Sequence, residues 1–328
     1  MFVPATFAVA IVMTILSTIC WGSFANTFKF TRNYRFELYY WDYAFGIFGI
    51  ALVLAFTMGS SGGGSNAFLA NVRAAAGLNI FWPILGGVLF NVANVLLIAG
   101  LELVGLAIAF PISIGIALVE GVVLSYALQP KGSFALLGTG VATAVLAVIL
   151  IGKAYAARNE GQPSAVSRRG VIVCVLSGLL MGTFAPFITR AMTAQRPLTP
   201  YSAGVFFTLG ALLCCFVFNV ILMRKPIVGE PVGFGAYFAA PGLYHVLGLL
   251  GGVIWGIGTV FNFVAANFVG VAISYAIGQA SPMIAALWGV FAFHEFRGAS
   301  AKAKGYLVGM FVCYVLALFL IARAYQSA

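Results

Sequence analysis

The sequence predicts an all-α integral membrane protein with ten transmembrane helices, built as two five-helix repeats of inverted topology. Three observations support this prediction: the composition, the number of apolar segments and an internal repeat. Of the 328 residues, 62% are hydrophobic and 7% are charged, whereas about a quarter of the residues in a soluble domain are charged. Mean hydropathy is +1.08. A chain of this composition cannot cover a surface that faces water.

Ten apolar segments are each long enough to cross a bilayer, which takes about 20 residues of helix. They run approximately over 4–27, 40–58, 79–103, 106–127, 133–156, 170–192, 201–223, 242–267, 271–293 and 305–325. Almost nothing joins the third span to the fourth or the eighth to the ninth, which predicts two tight helical hairpins. The segments lack the short alternating pattern of membrane β-barrels. The first segment has no basic leading region, so we expect it to be retained.

Lysine and arginine are unevenly distributed between the two sides of the predicted bundle. Twelve of the 17 lie in loops that follow odd-numbered spans, and five lie on the side of the even-numbered loops and both termini. Positive residues favour the cytoplasmic side. We therefore predict both termini outside the cytoplasm, in a plasma membrane or bacterial inner membrane. The net charge of +10 does not indicate nucleic-acid binding, since the longest basic run is Arg168–Arg169.

Internal similarity relates the two halves of the chain. The segments 85–110 and 250–275 align without a gap at a separation of 165 and share LGGV at their starts. The segments 16–25 (LSTICWGSFA) and 176–185 (LSGLLMGTFA) align at a separation of 160. YAFGIF at 43–48 is similar to YSAGVF, which begins at Tyr201.

These matches predict a first repeat over 1–157, a cytoplasmic linker over 158–169 and a second repeat over 170–328. Because five spans is an odd number, the second repeat enters the membrane from the opposite face. Many secondary transporters have this architecture, in which a site between the repeats is exposed to each side in turn. The pair Gly152–Lys153 lacks a phosphate-loop pattern. We therefore expect transport driven by a gradient, with no cofactor and no enzymatic activity.

Two acids are candidates for proton coupling, because an ionisable residue inside a membrane is costly and is usually functional. Glu120 lies within the fourth span, roughly 21 Å from its predicted inner end at 1.5 Å per residue. A structural role at the outer interface is equally open for it. Asp42 stands at the inner end of the second span. There it could serve in a gate or in coupling, or form a simple ion pair beside Arg32 and Arg35.

Amide, hydroxyl and aromatic side chains inside the spans are candidates for substrate binding. Asn94 and Thr259 are equivalent positions of the repeat, which predicts polar faces turned toward one cavity. Gln279 precedes Pro282, which frees a backbone carbonyl and favours local unwinding. Packing or hydrogen bonding between helices is the alternative role for each. The predicted set comprises Trp21, Asn26, Asn91, Asn94, Phe110, Ser113, Trp255, Thr259, Asn262, Tyr275, Gln279 and Trp288.

Metal binding is not indicated by the sequence. The five cysteines lie inside apolar segments without a paired spacing, and the two histidines, His245 and His294, stand near segment ends. Glu102 and Glu295 end the third and ninth spans, where we expect interfacial residues or gating ion pairs. The expected partners are a small solute, a proton and the lipid bilayer, and the protein is expected to be a monomer or a homodimer.

Three segments resemble the drug/metabolite transporter superfamily, and within it the ureide permease group most of all. YWDY (40–43) is similar to the opening of the permeases' second span. The stretch 100–128 follows their fourth-span pattern, and its Pro-Ile-Ser is also similar to the glucose/ribose and rhamnose uptake families. GQASPMIAALWGVFAFHEFRG (278–298) resembles a further permease pattern that has Gln279, Pro282, Trp288-Gly289-Val290 and Glu295.

The resemblance implies proton-coupled uptake of a ureide such as allantoin, or of a nucleobase such as uracil. The chain departs from the plant permeases in its short central loop. An acid that they carry early in the fourth span falls near Phe110 here, while Glu120 stands where they have an apolar residue. The site of ion coupling therefore stays open. The alternatives are a sugar–proton symporter and a metabolite or drug exporter of the same superfamily.

Overall fold

The computed structural model describes residues 1–32, 34–158, 167–226 and 229–326, and over these ranges it is almost entirely helical. Ten helices in these ranges are long and apolar enough to cross a membrane, which confirms the prediction of an all-α protein with ten membrane spans. We number them span 1 to span 10: Phe7–Lys29, Phe36–Phe56, Gly77–Val104, Ala107–Leu128, Phe134–Arg158, Arg168–Thr193, Pro200–Arg224, Gly242–Val269, Val271–Ala292 and Ala301–Gln326.

The predicted boundaries are accurate to a few residues. Span 2 begins at Phe36 rather than at 40, because its first turn contains the polar residues that a hydropathy count omits. Two short helices, Phe68–Ala74 and Phe234–Phe238, lie in loops outside the spans. Most of the predicted linker, residues 159–166, lies outside the described residues.

Three spans contain a break in their α-helix. Span 1 consists of Phe7–Ser23 and Asn26–Lys29, and span 6 of Arg168–Gly182 and Phe184–Thr193. Span 9 consists of Val271–Gly278, Ser281–Leu287 and a π-helical end. The break in span 9 is the one predicted at Gln279. Span 4, by contrast, continues through Pro111 as one helix.

The two tight hairpins turn at single glycines. Gly105 separates spans 3 and 4 with φ +73°, and Gly270 separates spans 8 and 9 with φ +90°. A side chain at either position would be strained, since this backbone region strongly favours glycine. The two glycines are 165 positions apart, the separation predicted from the repeat.

The chain forms two compact units. The first contains Met1–Asn91 and Phe187–Phe268, and the second contains Val92–Pro186 and Val269–Ala328. Each unit therefore draws helices from both halves of the sequence. The predicted repeat boundaries concern similarity along the chain rather than compactness, and they stay a prediction.

Inside the first unit, two helix crossings are held by glycines that leave no room for a side chain. At the crossing of spans 2 and 8, a Cβ on Gly46 would collide with the carbonyl of Leu249, and one on Gly252 with the carbonyl of Tyr43. Small residues allow helix backbones in a membrane to approach this closely.

The crossing of spans 3 and 7 repeats this arrangement. A Cβ on Gly210 would collide with the carbonyl of Ile84, and one on Gly87 with the carbonyl of Phe207. Gly87 and Gly252 are 165 positions apart, and Gly46 and Gly210 are 164 apart. The contacts thus pair span 2 with span 7 at a separation of 164, where the sequence match of 43–48 had predicted 158.

In the second unit, polar bonds between helices are few but direct. Ser113 donates to the carbonyl of Cys174 at 2.9 Å, and Ser177 donates to the carbonyl of Ala93 at 2.8 Å. Span 5 packs along span 10, where a Cβ on Gly140 would meet Ile321. The hydrogen bonds of Ser113 and Ser177 hold span 6 against spans 4 and 3.

Candidate substrate and proton sites

Five aromatic side chains, Trp21, Tyr43, Phe90, Phe207 and Trp255, lie together inside the first unit, and we call them the aromatic cluster. The ring of Trp255 lies 4.9 Å from Phe90, 6.1 Å from Trp21, 6.3 Å from Phe207 and 6.4 Å from Tyr43, between ring centroids. Phe90 and Trp255 are repeat equivalents, and so are Tyr43 and Phe207. The cluster therefore contains two pairs of equivalent positions.

A hydrogen-bonded pair connects the aromatic cluster to a predicted polar position. The indole Nε1 of Trp21 donates to Oγ1 of Thr259 at 3.1 Å. The Thr259 hydroxyl in turn donates to the carbonyl of Trp255 at 3.1 Å. Three residues that the sequence singled out, from spans 1 and 8, are thus brought into direct contact.

Two buried polar groups beside the aromatic cluster have no hydrogen-bond partner among the described residues. They are the hydroxyl of Tyr43 and Nδ2 of Asn91. Tyr40 links them: its ring lies 5.3 Å from that of Tyr43, and its hydroxyl donates to Oδ1 of Asn91 at 2.5 Å. An unsatisfied buried polar group costs about 1–3 kcal/mol. Two such groups beside an aromatic surface are suited to bind a solute with donors and acceptors.

The other predicted asparagines are placed differently. Nδ2 of Asn26 is buried and has no partner in the described part of the chain. Asn262 is buried and has a polar or electrostatic partner. Asn94 is half-buried in the second unit. Its predicted role in a cavity shared with Thr259 stays a prediction.

Tyr275 and Ser113, both in the second unit, take part in contacts between helices. The Tyr275 hydroxyl donates to the carbonyl of Ala117 at 3.1 Å, and its ring fills the space beside Gly121. Ser113 bonds span 6, as described above. These contacts correspond to the packing alternative.

The remaining predicted residues of the second unit differ in exposure. Gln279 is buried at the break of span 9, where its backbone N–H donates to the carbonyl of Tyr275. Phe110 is half-buried. Trp288 is 42% exposed at the start of the π-helical end of span 9. Gln279 is thus the most enclosed of these three candidates.

Glu120 lies against span 6 in the second unit. Its Oε2 atom is buried and has no hydrogen-bond partner within the described residues. Gly182 makes room for it, since a Cβ there would lie 2.7 Å from that oxygen. One oxygen of this carboxyl group thus packs on a glycine and lacks a donor among the described residues.

Asp42 is buried in the first unit, and two side chains contact its carboxylate. The hydroxyl of Tyr237 donates to Oδ1 at 2.6 Å, and Nδ1 of His245 lies 2.8 Å from Oδ2. Gly248, in the turn after His245, leaves the space that the Asp42 side chain occupies. The ion-pair partner of Asp42 is therefore His245 of span 8 rather than the arginines of the preceding linker.

The linker arginine nearest in sequence is paired elsewhere. Arg35 bonds the carboxylate of Glu37 at 2.7 Å and the carbonyl of Glu230 at 2.7 Å. Burial and the charge of Asp42 raise the pKa of Tyr34 to about 12. Burial, and then the hydrogen bond to Asp42, raise the pKa of Tyr237 as well. Both phenols thus stay protonated at neutral pH and can donate.

Glu295 and Glu102 end their spans in different surroundings. Tyr155 donates to Oε2 of Glu295 at 2.9 Å, and Arg158 lies 3.6 Å from the same atom. Glu102 is exposed. Glu295 thus forms an ion pair, one of the two alternatives that the sequence left open, while Glu102 has the exposure of an interfacial residue.

Sequence reasoning missed three residues: His245, Tyr237 and Tyr43. His245 had been considered only as a metal ligand. It lies in the first turn of span 8, and its contact with Asp42 in the second turn of span 2 is seen only in the structure. Tyr237 lies in a loop helix that hydropathy does not detect. Within the described residues no group of three or more His, Cys, Asp or Glu could hold a metal ion.

Ten apolar spans, with unpaired polar groups inside them, define a multi-pass membrane protein. Comparison with known families gives the same class. Residues 165–324 match the ureide permease family. The predicted resemblance is thus confirmed, and the chain is related to transporters rather than to enzymes.

Individual relatives extend the match beyond this half. Ureide permease 4 of Arabidopsis thaliana is 23% identical over 98% of this chain and 98% of its own length. Ureide permease 5 of the same plant is 26% identical over 46% of this chain and 38% of its own. The probable glucose uptake protein GlcU of Staphylococcus aureus (strain MRSA252) is 38% identical over 23% of this chain and 25% of its own.

The fold also has a solved counterpart. A crystal structure with 16% sequence identity aligns with a TM-score of 0.61 over 96% of this chain and 98% of the solved one. At this identity the likeness concerns the fold alone.

Proposed function

We propose that this protein is a secondary transporter that couples the uptake of a small polar heterocycle to protons. The substrate class is a ureide such as allantoin or a nucleobase such as uracil. The observation that carries the proposal is the aromatic cluster with its two unpaired groups, the Tyr43 hydroxyl and the Asn91 amide. Similarity to proteins named ureide permeases supports the substrate class.

Recognition would combine stacking with hydrogen bonding. The rings of Trp21 and Trp255 stack directly, 6.1 Å apart and 22° from parallel. A flat ligand between them would need about 7 Å, two contact distances of about 3.5 Å. The ligand would therefore stack on one face of the pair, or separate it, while its polar edge meets Tyr43 and Asn91.

Proton coupling is proposed for Asp42, which is buried, and for Glu120, which is half-buried. Glu120 has an oxygen without a partner among the described residues, and Asp42 is held by the Tyr237 hydroxyl and by Nδ1 of His245. Each is placed inside a span, where an ionisable residue is a functional candidate by default.

Alternating access is proposed from the inverted repeat. Support comes from features that recur at equivalent positions: the breaks after Ser23 and Gly182, and the turns at Gly105 and Gly270. Halves of the same fold and opposite orientation can exchange conformations, which exposes a central site to each side in turn. With the loops after odd-numbered spans in the cytoplasm, both termini would lie outside it.

Uptake by purified protein in liposomes tests the proposal. An inward proton gradient is expected to drive accumulation of labelled allantoin or uracil, and excess unlabelled compound is expected to block it. Absence of accumulation for every ureide and nucleobase tested would contradict the proposal.

A sugar substrate is the second candidate, favoured by the match to GlcU and by the segment Pro111–Ser113. In the same assay glucose, ribose and rhamnose serve as competitors. Competition by a sugar but not by allantoin or uracil would assign the protein to that substrate class.

A further inference from the structure

We propose that His245 is the group that binds and releases the coupled proton, with Asp42 as its counter-charge and Tyr237 as the donor that holds the carboxylate. This inference rests on the proposed proton coupling and names its site. It adds two residues, from span 8 and from the helix Phe234–Phe238, to an acid that the sequence alone had singled out.

The geometry engages both carboxylate oxygens of Asp42 and one ring nitrogen of His245. Nδ1 of His245 lies 2.8 Å from Oδ2 of Asp42, while Oδ1 is taken by the Tyr237 hydroxyl at 2.6 Å. When the imidazole binds a proton at its free nitrogen, the pair becomes imidazolium and carboxylate, with no net charge. When the proton leaves, a single negative charge remains, held by two neutral donors.

Among the described residues, none that contacts His245 is a lysine, an arginine or another histidine. The aromatic rings of Tyr237 and Tyr34 face it, with centroids at 4.6 Å and 6.3 Å. Tyr244 on its own helix packs on Tyr34 at 5.2 Å. Arg35 is bound to Glu37. The charge of the site is therefore set by the His245–Asp42 pair.

The proton site is mechanically connected to the aromatic cluster. Asp42 is followed directly by Tyr43, and Trp255 lies ten residues beyond His245, about 15 Å along the same helix. Near the two sites, Gly46 and Gly252 bring the backbones of spans 2 and 8 into direct contact, with no space for a side chain at either position. A change in the contact at His245 is thus passed to the residues proposed to bind the solute.

The net charge of the His245–Asp42 pair would affect the ends of spans 2 and 8 that are predicted to face the cytoplasm. A neutral pair is compatible with burial beneath the helix Phe234–Phe238. A negative pair is costly to bury and favours entry of water. Loss of the proton would therefore loosen this end of the first unit, which suits release of proton and solute to the same side.

The test uses His245→Asn, because the asparagine amide can replace Nδ1 as donor to Asp42 but cannot bind a proton. His294→Asn is the matched control, since His294 is exposed and asparagine tolerates its positive φ of 53°. Both are placed in liposomes with wild type. Accumulation is measured under an inward gradient of about 2 pH units, and exchange is measured without a gradient.

For one proton per solute, such a gradient can support accumulation up to about 100-fold, since each pH unit is a factor of ten. We expect wild type and His294→Asn to accumulate. We expect His245→Asn to fall to a ratio of about 1, to retain part of the exchange, and to show a flat pH profile.

Three results would overturn the inference. The first is accumulation by His245→Asn with the wild-type pH profile. The second is an equal loss of exchange and accumulation in His245→Asn that His245→Ala reproduces, which indicates a structural residue. The third is a wild type that exchanges solute but ignores the gradient, which removes the proposed coupling itself and is seen before any variant is compared.

Discussion

The substitution Tyr43→Phe distinguishes a ligand-binding role of the hydroxyl from a structural role, because the two roles predict opposite changes in the stability of the free protein. Tyr43 is 1% exposed, and its hydroxyl has no hydrogen-bond partner among the described residues. Phenylalanine removes this oxygen and keeps the ring in the aromatic cluster. If the hydroxyl serves a solute, the free protein gains stability while binding weakens.

The magnitudes follow from the burial. An unsatisfied buried hydroxyl costs about 1–3 kcal/mol, so the free energy of unfolding is expected to rise by about 1 kcal/mol or more. A neutral hydrogen bond contributes about 0.5–1.5 kcal/mol, so the solute is expected to bind about 2- to 13-fold more weakly.

The assay is thermal unfolding of the detergent-purified protein without ligand, together with equilibrium binding of labelled solute. Tyr314→Phe is the control, because its hydroxyl is also buried and unpaired in the described structure but belongs to span 10 of the second unit and not to the aromatic cluster. It is expected to raise the melting temperature and leave affinity unchanged. A lower melting temperature for Tyr43→Phe, or an unchanged affinity, would refute the reasoning.

Three further predictions concern other parts of the molecule. Glu120→Gln removes a second candidate proton site, in addition to His245. It is expected to abolish accumulation driven by a pH gradient and to preserve part of the exchange, and uphill uptake equal to wild type would exclude its role in coupling. Alanine at Gln279 or Asn94 is expected to weaken solute binding, and wild-type affinity in both variants would remove them from the site. Gly252→Ala is expected to lower stability by about 1–3 kcal/mol through overpacking. Gly49→Ala, with open space around it, is expected to leave the melting temperature unchanged or raise it slightly.

Hydropathy predicted the spans well because membrane helices must be long and apolar. It did not predict the break in span 1, which no proline marks. The break in span 6 was missed although Gly182 and Pro186 flank Thr183 there. It did predict the break in span 9, where Gly278 and Pro282 flank Gln279. Pro111 produced no break in span 4, where the helix continues through it.

The candidate site was partly predictable. Trp21, Trp255 and Thr259 were singled out from their positions inside spans, and the structure brings them together. Tyr43 was missed because a tyrosine near a span end is typical of the membrane interface, and only the packing reveals its unpaired hydroxyl. The partner of Asp42 was missed because His245 is 203 positions away, and no local pattern connects the two.

The central claim is that the aromatic cluster binds a small polar heterocycle through two groups left unpaired in its absence. An experimental structure with the best-binding ureide or nucleobase tests it most directly. We expect the ligand ring to stack on Trp21 or Trp255 and to form hydrogen bonds with the Tyr43 hydroxyl and Nδ2 of Asn91. A ligand bound elsewhere, with both groups still unpaired, would contradict it.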